Sequence, residues 1–487
     1  MVLISDRAHV VAVCLQTCIL LLVGVCYYNL DVYTFEAKTI LEVIFLLVVV
    51  ESICMHTYFH GTWKNFDNLF IGFFVFFLGN RLLFDLFTDE WDVCYFGFFL
   101  SRSVSVNILN EAILNLIIAL LSYNLGSLLW RQRKKNRKRT DYPINCLTKT
   151  DTLSDRVVYT MLVIGFIAKA YFSYQIFFAM LSDGYYALFK EGYDINRNLL
   201  MMFLETFYEI SLFIIISRER KMRAWDKLAL LFYIIMSLAT GQRGLAMLSI
   251  VFILFYLYRL GKIKLPMKVL VSMVFVLFFI SMLMSNIRGG TDSNIGDIFR
   301  SFFDFFYTQA VSLTVIVTTI DYDSQIDYSF GDLFGHIRYL IEYYWNKITL
   351  QDPVPIDALT MQAYEFKWYG QYISSIANKS MFYEGMGLGS SYVAQLYAVG
   401  KEFAQVTGGI FVGYIACFLN DNLRSSNFLR RFWAFHALTI FTFIPRANLF
   451  EFISMQWAPY VVSLFIYFYI VFRNYKKTSL ISSISHV

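Results

Sequence analysis

The stretch VNILNEAILNLIIALLSYNLGSLLW (Val106–Trp130) runs directly into RQRKKNRKR (Arg131–Arg139). The first part carries a single charged residue, Glu111, and is long enough to cross a bilayer as a helix, which takes about 20 apolar residues. The second part cannot enter the hydrocarbon, and in a short loop beside a span it marks the cytoplasmic side. One junction therefore supplies both a membrane span and its direction. Basic runs also bind nucleic acid, but next to a span this one reads as a topology anchor, and no nucleic-acid partner is expected.

The whole chain has the same character. Of 487 residues, 58% are hydrophobic and 16% charged, where a soluble chain carries about a quarter charged. No single core in water absorbs so many large apolar side chains. A soluble multidomain enzyme, a disordered protein and a disulfide scaffold are excluded. The seven cysteines form no C-x-x-C pair, so neither a zinc nor a thioredoxin-like site is suggested.

Working outward from the fourth span, twelve apolar segments are long enough to consider: Val10–Leu30, Ala37–Tyr58, Phe66–Phe87, Val106–Trp130, Val157–Leu181, Leu199–Ile216, Leu228–Thr240, Ala246–Leu260, Val269–Ser285, Phe403–Leu419, Phe432–Ile444 and Phe450–Val471. Further basic clusters, at Arg218–Arg223, Arg259–Lys268, Arg424–Arg431 and Arg473–Lys477, follow the sixth, eighth, tenth and twelfth. Every strong cluster follows an even-numbered span, which places both termini in the cytoplasm. The fold class is an all-α polytopic membrane protein of about twelve transmembrane helices with one large helical outer loop. It divides into residues 1–285 with nine spans, a loop of amphipathic helices at 286–402, and 403–487 with three spans and a tail. Ile298–Ile320 is apolar enough to span, but Arg300, Asp304 and Gln309 oppose burial. It is expected to lie on the outer membrane face or pack against the bundle.

The long outer loop is rich in Tyr339, Tyr343, Tyr344, Trp345, Trp368, Tyr369 and Tyr372. Such rings sit at a membrane interface or stack on sugars, and the interface reading is preferred. Outward-facing basic residues are scarce, so Arg243, Arg288, Arg338 and Arg446 each need a reason. Guanidinium forks suit phosphate oxyanions, and a lipid-borne phosphate lies at the depth of these turns. An arginine that snorkels to headgroups is the bland alternative. Arg81 and Asp85 lie near the outer end of the third span, and Asn107, Asn110 and Glu111 open the fourth. Lys169 is expected to pair with Glu205 or Glu209, which are spaced to share a helix face.

The residues Gly184–Gly192, Gly241-Gln-Arg-Gly-Leu-Ala246, Tyr328-Ser-Phe-Gly331, Gly389–Tyr397 with Gly400, and Pro445-Arg-Ala-Asn-Leu-Phe-Glu451 together resemble the Wzy-type O-antigen and oligosaccharide repeat-unit polymerases of bacterial inner membranes. The resemblance covers most of the chain, although a clear pair of the basic loop motifs seen in some members is missing. It implies a multi-pass inner-membrane protein whose active site faces the periplasm. The implied substrates are undecaprenyl-diphosphate-linked oligosaccharides, polymerised into surface polysaccharide, and a chain-length regulator is an implied partner. Membrane lipid is the other expected contact.

The implied reaction is glycosyl transfer with loss of undecaprenyl diphosphate. Arg243, Arg288 and Arg446 are assigned to stabilise the departing charge, and His336 is the candidate base, with Glu451, Asp332, Glu342 and Glu384 competing for that role. Arg81, Arg338, Tyr397 and Glu451 are assigned to substrate binding. No Asp-x-Asp clamp stands out in the outer loops, so a metal-independent glycosyltransferase without cofactors is expected. An O-antigen ligase using the same donor and a lipid-linked oligosaccharide flippase are the competing readings.

Overall fold

The computed structural model describes residues 6–29, 34–88, 92–97, 99–133, 146–147, 153–183, 199–239, 243–264, 306–349 and 360–484, with a few positions between 266 and 279. Among these the chain is almost wholly helical. The helices of the first half are α1 (Asp6–Asn29), α2 (Phe35–His60), α3 (Phe66–Phe87), α4 (Val106–Arg133), α5 (Asp155–Asp183), α6 (Leu199–Ser217), α7 (Ala224–Ala239) and α8 (Arg243–Arg259). Those of the second half are α9 (Ser312–Asp321), α10 (Gly335–Ile348), α11 (Tyr369–Ala377), α12 (Lys379–Tyr383), α13 (Tyr392–Asn422), α14 (Phe428–Phe441), α15 (Glu451–Ser454) and α16 (Trp457–Ile484). The only sheet among the described residues is a two-stranded hairpin, β1 (Tyr95–Phe96) with β2 (Arg102–Ser103).

Seven of these helices are long and apolar enough to cross a membrane, and α4 is the most enclosed, with 94% of its apolar window buried. It packs against α1, α2, α9 and α13. Its closest partner is α13, which brings Gly409 and Gly413 to the contact, one helical turn apart. A Cβ on Gly413 would meet the Tyr123 carbonyl oxygen at 2.0 Å, and one on Gly126 would meet the Ile410 carbonyl at 2.0 Å. Within lipid, helix association rests on such close backbone approach because there is no hydrophobic drive between helices. A second close crossing joins α5 to α6 at Gly165, where a Cβ would come 2.2 Å from Tyr208 N. One turn further along α5, Lys169 Nζ pairs with Glu205 at 2.7 Å and Glu209 at 3.5 Å. The expected pairing is therefore present with both carboxylates.

The helices alternate in direction, which sorts the loops to two ends. Asn29, the start of α4, α9 to α12 and the Ile444–Arg446 turn lie at one end, called here the loop end. His60, Arg131, Arg218 and Asp421 lie at the other, the basic end. The apolar part of Ile298–Ile320 that is described, α9, is buried along its length against α4 and α13, so it packs into the bundle. The helix of the tenth expected span begins earlier than its apolar core, at Tyr392, and carries a break at Gly400 and Lys401. The last long helix begins at Trp457, after the separate short turn of α15. The segment expected as the ninth span falls largely outside the described residues, as do Gly184–Gly192 and Pro353–Pro355.

Candidate functional site

Two polar neighbourhoods stand at the loop end. The first starts in α3, where residues Val75–Gly79 form a π turn. One extra residue rotates the remainder of the helix by about 100°, and such turns recur at functional sites. Arg81 lies just beyond it and is buried. Its Nη2 donates to the Tyr95 carbonyl at 2.6 Å and to the Tyr307 hydroxyl at 2.9 Å. Its guanidinium lies 4.2 Å from the Phe96 ring centre and 4.6 Å from that of Tyr307. Hairpin, helix and loop thus hold one cation between two aromatic faces.

Arg446 ends the 3-10 turn Ile444–Arg446, whose second residue is Pro445, and its Nη1 donates to Gln309 Oε1 at 3.3 Å. Gln309 is two residues past Tyr307, so Arg81 and Arg446 converge on one short segment. Arg446 lies 5.7 Å from the Phe77 ring, which meets the Phe443 ring edge-on at 5.3 Å. Gly244 rests against that same Phe443, with a Cβ position 3.7 Å from it. The first turn of α8, where Arg243 stands, therefore adjoins this patch. The Arg243 side chain and all of Arg288 lie outside the described residues.

The second neighbourhood centres on α15. Ser454 Oγ is hydrogen-bonded to His336 Nδ1 at 2.9 Å, and the imidazole stacks on Trp368 with ring centres 3.9 Å apart. Burial lowers the His336 pKa to about 4, so the ring is neutral near pH 7. The buried Glu451 accepts from Asn448 N at 2.8 Å and Asn448 Nδ2 at 3.0 Å. Asn448 Oδ1 in turn accepts from Ser390 Oγ at 3.0 Å. Leu449 N donates to Gln395 Oε1 at 2.8 Å, Gln395 Nε2 donates to the Tyr328 hydroxyl at 2.7 Å, and Tyr328 donates to the Asp332 carbonyl at 2.8 Å. Three segments singled out in the sequence, around Tyr328, Gln395 and Asn448, thus join in one buried network. Gln395 and Asn448 were not foreseen as site residues. Their signal is an amide in an apolar setting, which stays buried only when its hydrogen bonds are met.

Arg338 and Tyr397 sit on the margin. Arg338 is half-exposed and pairs with Asp332 at 3.1 Å. Tyr397 is buried and donates to Glu111 Oε1 at 2.5 Å. Beyond them runs a rim of ion pairs of which Arg338 and Asp332 were candidates from the sequence and the other six residues were not. Asp321, Asp323, Asp327 and Asp332 pair with Arg102, Lys401, Lys367 and Arg338 respectively. Burial opposes ionisation of Asp332, but hydrogen bonds from Ser329 and the charges of Lys367 and Arg338 outweigh it and hold its pKa below the ordinary value. Lys401 holds its place with φ +51°, an uncommon conformation for a residue with a side chain, and its ammonium also lies 4.7 Å from the Tyr397 ring. The loop aromatics are mostly structural: Tyr339, Tyr369 and Tyr372 are buried, while Trp345 is exposed.

A polytopic helical bundle with buried cations and a hydrogen-bonded carboxylate under a helical loop defines a multi-pass integral membrane protein with a polar site at one end. The chain belongs to the family described as O-antigen polysaccharide polymerase Wzy, whose sequence profile matches residues 11–478. Members of that family are polymerases acting on lipid-linked oligosaccharides in membranes. No curated protein and no solved structure matches the chain.

Proposed function

We propose that the chain joins undecaprenyl-diphosphate-linked repeat units into O antigen at the periplasmic face of the bacterial inner membrane, by metal-independent glycosyl transfer at the loop end. The observation that carries this reading is the convergence of Arg81 and Arg446 on Tyr307 and Gln309, beside the first turn of α8. A hydroxyl of one unit attacks the anomeric carbon of the other chain's first sugar. The new C–O bond forms as the bond to the diphosphate breaks, and undecaprenyl diphosphate leaves with the electron pair. Preorganised cations act most strongly on charge that develops in this step. Arg446, with Arg243 and Arg288, is assigned to that oxyanion, and Arg81, Arg338, Tyr397 and Glu451 to holding the substrate.

The attacking hydroxyl must lose its proton. His336 is assigned that role: its imidazole is neutral near pH 7, and substrate binding would have to raise its basicity, because burial holds its pKa near 4. Twelve spans with the 286–402 loop on the periplasmic side, and a chain-length regulator as partner, belong to the same reading.

Elongation of purified lipid-linked repeat units by the purified protein tests the activity. Arg446→Ala and Arg243→Ala should abolish long polymer while the protein still reaches the membrane, and normal polymer in both variants would reject the assignment. In cells, loss of a polymerase leaves a single repeat unit attached to its acceptor, whereas loss of a ligase leaves none.

A further inference from the structure

At the basic end, the turn between α2 and α3 brings together three side chains that the proposed reaction does not use. His56 and His60 are one helical turn apart on α2, and Asp67 stands in the first turn of α3. Their nearest ligand atoms all lie within 4.8 Å of one another. His60 Nε2 is 2.7 Å and His56 Nδ1 is 3.7 Å from the same atom, Asp67 Oδ2. His56 and Asp67 are 0% and 1% exposed.

The hydrogen bonds around His56 assign its tautomer. Ser52 Oγ donates to the Val48 carbonyl at 2.6 Å, so it accepts from Asn124 Nδ2 at 2.7 Å. That orients the Asn124 amide with Oδ1 toward His56 Nε2, 3.0 Å away. Nε2 therefore carries the proton. Nδ1, which has no hydrogen-bond partner, turns its lone pair toward the Asp67 carboxylate. Two electron-rich atoms facing each other in a buried site repel unless a positive species stands between them. An oxygen or amide anchoring the far nitrogen of an imidazole is the usual outer support of a metal-ligating histidine.

We propose that His56 Nδ1, His60 Nε2 and Asp67 Oδ2 bind a divalent transition metal of the zinc class, which ties the end of α2 to the start of α3. Two imidazoles and one carboxylate suit such an ion. Ligands about 2.1 Å from a tetrahedral ion stand about 3.4 Å apart, so shifts of about an ångström complete the site. Arg131 is the competing cation. Its Nη2 donates to Asp67 Oδ2 at 2.5 Å and also approaches His60 Nε2. Arg131 opens the basic run, and metal entry would return its guanidinium to that polar surface. The site is separate from the proposed reaction: Glu111 and Arg131 stand 20 residues apart on α4, about 30 Å along a helix.

The test uses the full-length, tag-free protein in detergent, stripped with chelator and titrated with Co²⁺. The expected result is one Co²⁺ per chain, with the visible absorption bands of a low-coordinate site, bleached by Zn²⁺. His56→Ala should weaken binding by at least ~100-fold, and Arg131→Gln should tighten it. A wild-type chain that takes up no Co²⁺ would overturn the proposal, whether or not the variant folds. Undiminished binding in a folded His56→Ala protein would overturn it equally.

Discussion

The two ends of α4 use the same residue types in opposite settings. At the loop end, Arg102 and Lys401 form ion pairs while 47% and 43% exposed, and Arg338 does so at 49%. At the basic end, Asp67 is 1% exposed, takes hydrogen bonds from Arg131 and Tyr123, and has His60 Nε2 2.7 Å away. A pair in reach of water is worth about 0.2–1 kcal/mol, whereas removing one partner of a buried pair costs about 3–5 kcal/mol. Charge at the basic end therefore holds helices together. At the rim of the loop end it stays exchangeable, as the approach to a site that admits and releases an anionic substrate requires.

Substitutions can break this contrast. The largest effect is expected for Asp67→Ala, which removes the buried carboxylate that joins Arg131, Tyr123 and His60: apparent stability in detergent should fall by about 3 kcal/mol or more. A thermal-unfolding shift no larger than that of Arg102→Ala would erase the contrast. Next comes Arg446→Ala, expected to cost about 100-fold or more in elongation rate with little change in stability, and Arg446→Lys should recover part of the loss. An equal loss of stability would make Arg446 a structural residue. Gly413→Val should cost about 1–3 kcal/mol or more, because its new side chain meets the Tyr123 carbonyl, and should depress yield and unfolding temperature together.

Two smaller effects sharpen the picture. The folded-state pKa of His336 lies near 4, below the ordinary value of 6.5, so between these values the unfolded chain binds more protons. Its contribution to stability is complete above pH 6.5 and is lost as pH falls toward 4. Replacing it with Gln should flatten that part of a stability–pH curve. The smallest effect is that of Arg102→Ala, at most about 1 kcal/mol in an unfolding assay.

What could be read in the sequence tracked the range of the forces involved. The α4 span and the face shared by Glu205 and Glu209 are local features, and each reappears in the helices. The site is built from residues far apart in the chain. Nothing near Arg446 points to Gln309, and nothing near Gln395 points to Tyr328, because each pairing depends on how the helices stack. The π turn before Arg81 leaves no mark in an apolar run. The loop aromatics escaped for a related reason: in a membrane protein the core and the lipid-facing surface are both apolar, so composition does not separate the buried Tyr369 from the exposed Trp345. The Gly409-Ile-Phe-Val-Gly413 spacing was not singled out in the sequence, and only the contact with α4 shows what it serves.

The enclosure of α4 also bears on how the protein is made. A helix surrounded by protein can carry Asn110, Asn115, Ser122, Asn124 and Ser127, all buried, where a helix facing lipid could not do so cheaply. Its main partner arrives late, since Ser127 and its contact Cys417 are 290 residues apart. At ribosomal rates of about 5–20 residues per second, α4 waits about 15–60 s in the bilayer before α13 emerges to cover it. During that interval Asn124 can already bond Ser52 and His56 of α2, whereas the face around Gly126 that α13 later covers has only lipid or a chaperone against it.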